Sequence, residues 1–97
     1  MTGGGGKIEQ RVVLTRQETA RWLHELARAL ETGGTADVAL VGPTVSLSLP
    51  DEFEVELELE PYGDKIELEF ELTWPKVRAE PSADEPRTSV AAPQALR

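Results

Sequence analysis

The chain has 97 residues, 29% of them charged, no cysteine, and a net charge of −8 at pH 7. That length holds one domain with a modest core, marginal unless a partner or a second copy adds to it, and the lack of cysteine excludes disulfides and thiolate metal sites. No apolar run approaches the ~20 residues of a membrane span and no signal-peptide core opens the chain, so a soluble, cytoplasmic protein is expected.

Residues 1–6 hold four consecutive glycines and read as a flexible arm. A phosphate loop would need a preceding strand and a Gly-Lys-Ser/Thr ending, and neither is present. Residues 7–14 alternate through Ile8, Val12 and Leu14, with Gln10 out of phase, and are expected to form a first strand.

A helix follows. Thr15-Arg16-Gln17-Glu18 fits a capping box, in which the threonine hydroxyl and the glutamate carboxylate satisfy reciprocal backbone donors. Ala20, Leu23, Leu26, Ala27 and Leu30 recur at spacings of three and four and predict the buried stripe, with Arg21, Glu25 and Arg28 solvated opposite. Gly33-Gly34 ends the helix, because glycine takes the left-handed terminal conformation without strain. Trp22 sits at the edge of the stripe, placed either to fill the helix–sheet border or to anchor an interface.

Short strands come next. Val38 and Leu40, then Val45, Leu47 and Leu49, flank Gly42-Pro43 and predict a hairpin with Leu40 opposite Val45 and Val38 opposite Leu47. A turn at Pro50-Asp51-Glu52 would pair Leu47 with Val55 and Leu49 with Phe53.

Residues 51–75 carry the strongest pattern. Phe53, Val55, Leu57 and Leu59 alternate with glutamates, and then Ile66, Leu68, Phe70, Leu72 and Trp74 do the same. Period two marks strands with one apolar and one polar face. The apolar residues lie at odd positions in the first run and even positions in the second, so every antiparallel register that keeps them together sets glutamate against glutamate. A turn near Pro61 to Asp64 pairs Leu59 with Ile66, Glu58 with Glu67, Glu56 with Glu69 and Glu54 with Glu71. Like charges directly opposite cost roughly 0.2–1 kcal/mol per pair. Residues 51–71 hold ten acids against the single Lys65, a net of −9, so this hairpin sets the charge of the molecule. Trp74 continues the apolar phase and is expected to close one end of the core.

Residues 76–97, with Pro81, Pro86 and Pro93, show no sustained period and read as a disordered tail, with a short helix at 93–97 left open. The expected fold is α+β: one amphipathic helix on a largely antiparallel sheet of about five strands, in the order β-α-β-β-β-β. If the first strand flanks the last, Arg11 could reach the glutamate face.

The helix TRQETARWLHELARALETGG, the passage LSLPDEFEVELELE and the ending KIELEFELTWP together resemble the amphi-Trp domain family, over residues 7–75. The resemblance implies a single domain, with Trp74 at the position of the family tryptophan. It brings no catalytic residue.

Chemistry is sparse. The one histidine, His24, lies on the helix flank, while Ser46 and Ser48 are expected on the open face of the sheet, so no nucleophile has a base in reach and no enzyme is expected. A flat glutamate face offers neither a cleft nor the converging oxygens that calcium needs, so no metal site and no cofactor are expected. Glu54, Glu56, Glu58, Glu67, Glu69 and Glu71 are the candidate partner-binding face. It suits a basic protein segment and repels nucleic acid and membranes. A homodimer is a further expectation. Two explanations compete with partner binding: solubility and protection of the sheet edges, and a small-ligand or cation-binding role for the glutamates or the helix–sheet crevice.

Overall fold

The computed structural model describes residues 6–76 and 85–92. It has one helix and five strands, an α+β fold, in two compact units: residues 6–49 with 85–92, and residues 50–76.

The first unit is built around α1 (Arg16–Thr32). Its start is the capping box read from the sequence. The Glu18 N–H donates to Thr15 Oγ1 at 3.0 Å, and the Thr15 N–H donates to Glu18 Oε1 at 3.1 Å. Gly33, at φ 77°, ends it, and the N–H of Gly33 donates to the Ala29 carbonyl. The buried stripe is rotated from the expected one. Ala29 is fully buried and Trp22 and Leu26 pack beside it, whereas Leu23 is half exposed and Ala20 and Ala27 face solvent. The helix approaches the sheet where Ala29 meets Ala36 and Val90, and a small side chain there permits the close approach that a leucine would prevent.

The sheet of this unit has the order β2 (Val45–Ser48), β1 (Thr35–Val38), β5 (Arg87–Val90). β1 runs antiparallel to β2 and parallel to β5. Val38 faces Val45 and Ala36 faces Leu47, two residues away from the expected register but with the same face inward. β5 corrects the reading of residues 76–97 as a disordered tail, since Val90 is fully buried and Ala92 nearly so. The glycine arm, apart from Gly6, and residues 93–97 lie outside the described residues.

Gly34 shows why β5 can close on this sheet. It has φ 77°, and a Cβ on it would collide with the Pro86 carbonyl oxygen that accepts from the Thr35 N–H. Only glycine fits both the backbone angle and the space.

The expected first strand at 7–14 does not form. Its correction lies in Gln10, whose Oε1 accepts from the N–H groups of Leu40 (2.7 Å) and Val41 (3.1 Å) while Nε2 donates to the Pro43 carbonyl (2.9 Å). One side chain thus fastens the segment to the β1–β2 loop. The flanking strand from which Arg11 could have reached the glutamates is thus not formed, and Arg11 pairs with Glu9 at 3.3 Å.

The second unit is a hairpin of β3 (Glu54–Tyr62) and β4 (Lys65–Thr73). The expected four-stranded meander is absent: no ladder joins β2 to β3, and the Leu49 N–H donates to the Gly34 carbonyl while its side chain packs on the first unit's core.

Candidate protein-interaction site

The hairpin turns on two residues, Gly63 and Asp64, between the paired Tyr62 and Lys65. A positive φ at Gly63 (59°), with no positive φ at any non-glycine among the described residues, suits a type II′ turn, whose twist matches the strands. This turn is tighter than the four-residue one expected, and it moves the register by two. Leu59 faces Leu68, Leu57 faces Phe70 and Val55 faces Leu72. Parity is preserved, so glutamate still faces glutamate, in the pairs Glu60–Glu67, Glu58–Glu69 and Glu56–Glu71, while Glu54 faces Thr73. Glu60 therefore joins the six residues singled out from the sequence.

The register also sets the spacing. Antiparallel pairs alternate between hydrogen-bonded ones, with Cα atoms about 5.5 Å apart, and non-bonded ones at about 4.5 Å. Counting from the bonded pair at the turn, Tyr62–Lys65, each glutamate pair falls in a wider position and each apolar pair in a closer one. The repulsion is thereby eased while the apolar side chains interlock. Pro61, opposite Ile66, falls in a non-bonded position, so its missing N–H would have pointed away from β4 and no ladder bond is lost.

Both faces are open. All six candidate glutamates are exposed, and so are Val55 (56%), Leu57, Leu59, Ile66 (76%), Leu68 and Phe70. Within the first unit the helix packs on β1 and β5. At the open end Trp74 is half-buried and meets Phe53 edge to face, with ring centroids 5.0 Å apart and planes at 83°. It caps the open end of the hairpin.

Trp22 does fill a helix–sheet border. Its indole N–H donates to the Ala39 carbonyl at 2.9 Å, and its ring flanks two open apolar grooves, one of about 470 Å³ lined by Val12, Leu14 and Leu23 among others. His24 is exposed.

A polar cluster that the sequence reading missed lies across all three strands of the first unit. Arg87 donates from Nε and Nη2 to Asp37, at 2.8 and 2.9 Å, and the Ser46 hydroxyl donates to Asp37 Oδ1 at 2.5 Å. The Ser46 hydrogen bond first, and then those from Arg87, hold the Asp37 carboxyl below its ordinary value. Arg87 had been assigned to the tail, so nothing placed it beside Asp37.

Among the described residues, no three histidine or carboxylate groups converge to hold a metal ion, and no helix is long and apolar enough to cross a membrane. The Amphi-Trp domain profile matches residues 6–91. The chain belongs to the Amphi-Trp domain family. The match runs past Trp74 through β5, so the Amphi-Trp domain here includes the strand that completes the three-stranded sheet. No curated protein and no solved structure shows significant similarity to the chain.

Proposed function

We propose that this Amphi-Trp domain is a non-enzymatic interaction module of the cytoplasm, whose hairpin presents its acidic face to a basic protein partner. The observation that carries this reading is the ladder Glu60–Glu67, Glu58–Glu69 and Glu56–Glu71, three like-charge pairs held side by side on an exposed face. Each pair costs roughly 0.2–1 kcal/mol on its own. A Lys/Arg-rich segment laid across the ladder converts that repulsion into attraction and speeds encounter, whereas nucleic acid is repelled.

Affinity capture from cell lysate tests it, with the wild type and a Glu56→Lys/Glu69→Lys variant as baits. The reading expects basic proteins on the wild type that are lost from the variant and released by salt. An identical set of proteins on both baits would count against it.

A second reading has one observation in its favour. The groove beside Trp22 is open and apolar, suited to a small apolar ligand rather than a cation. Saturable quenching of tryptophan fluorescence by an apolar probe, lost in Leu23→Glu, would support it.

A further inference from the structure

The acidic face leaves the hairpin's other face unexplained. That face is wholly apolar: Phe53, Val55, Leu57, Leu59 and Pro61 on one strand, Ile66, Leu68, Phe70, Leu72 and Trp74 on the other. Lys65 and Tyr62 fall in the glutamate phase, so no polar side chain interrupts it. An isolated two-stranded hairpin is at best marginally stable in water, and one with an uncovered apolar ladder asks for a second layer.

We infer that the hairpin's apolar face packs against the same face of a second copy of this chain, making a two-layered, four-stranded sandwich with glutamates on both outer surfaces. Three features select that occupant. The first is charge. Sheets stack about 10 Å apart with side chains outward on the far sides, so the two glutamate ladders would stand roughly 20 Å from each other, beyond the ~8 Å screening length at physiological salt. Edge-to-edge pairing would instead bring the ladders within about 5 Å of one another.

The second is shape. One end of the face is aromatic, with Phe53 and Trp74, the other is aliphatic, with Leu59, Pro61, Ile66 and Leu68, and Phe70 lies at the middle. A two-fold axis lying between the two layers, across the strands at the level of Leu57–Phe70, lays each aromatic end on the partner's aliphatic tip, large against small. The third is area. Strands of nine residues give a face about 30 Å by 10 Å, and allowing for side-chain relief the pair would bury on the order of 1,000 Å² in total. That is the threshold of a specific interface, so the dimer is reversible rather than obligate. The inference is independent of the acidic-face reading, because it uses the opposite face.

The absence of cysteine makes the test direct. In the full chain, Leu57→Cys places one thiol beside the proposed axis, and Glu58→Cys places one on the outer face next to it. Under mild oxidation Leu57→Cys is expected to form a disulfide-linked dimer at least tenfold faster than Glu58→Cys. The wild type is expected to shift from monomer to dimer with concentration in sedimentation velocity. Leu57→Thr, which keeps a strand-forming residue, is expected to weaken that association at least tenfold. A chain that stays monomeric throughout, as when its own first unit or a different protein covers the face, would overturn the inference. So would equal cross-linking at the two positions. None of these readouts needs a basic partner, so a wild-type bait that dimerises but captures the same proteins as the charge-reversed bait would sink the acidic-face reading alone.

Discussion

Arg87 grips both carboxyl oxygens of Asp37 across fifty residues of sequence, with 2.8 and 2.9 Å hydrogen bonds, and so ties the last strand to the centre of the three-stranded sheet. Parallel pairing alone holds β5 by four residues. The fork adds a bidentate, geometrically specific clasp that lysine could not supply.

The clasp makes stability depend on acid. The Asp37 carboxyl is held below its ordinary value, so its contribution is complete above the unfolded-state value, about 3.9, and fades as pH falls toward the lower folded-state value. Urea unfolding of the wild type and Asp37→Asn should therefore show a constant difference from pH 7 to about 5, shrinking below. A difference that grows on acidification would contradict the assignment.

Gln10 should matter more than a loop residue usually does. Gln10→Ala removes the side-chain acceptor of the Leu40 and Val41 N–H groups, at a cost of about 0.5–1.5 kcal/mol. Hydrogen exchange at those two amides should accelerate, while exchange in the hairpin stays unchanged.

The two glycines after the helix should behave differently. Gly33 has open space where a Cβ would go, so Gly33→Ala carries only the strain of its glycine-favouring backbone (φ 77°, ψ −166°), about 1–3 kcal/mol. Gly34→Ala adds a collision with the Pro86 carbonyl and should lower the melting temperature clearly further. Equal losses would mean that β5 does not press on Gly34.

Much of this architecture was legible in the residues, and the gaps have physical causes. The capping box and the glutamate-to-glutamate facing depend on neighbours in sequence and on parity, which survive an error in the turn. Register does not: Gly63-Asp64 and Pro61 to Asp64 are both plausible turns, and the choice between them shifts every pair by two. β5 eluded the reading because Arg-Thr-Ser-Val has a weak alternation and gains its place only from β1, far away in the chain. Gln10 looked like a fault in a strand because a side chain that replaces a backbone ladder leaves no periodic trace. The same ladder pattern that identified the hairpin gave no sign that its apolar face would lie open.

The central claim is that the glutamate ladder is kept at a cost in stability because it binds a basic partner. Glu58→Lys, opposite Glu69, and Glu71→Lys, opposite Glu56, turn two repulsive pairs into attractive ones. Hydrogen exchange of the β3 and β4 amides and capture of basic proteins, measured on the same double variant, test the claim together. The account predicts amide protection raised about 1.4- to 5-fold per pair, together with loss of capture. Raised protection with capture unchanged would contradict it and leave the ladder a solubilising surface.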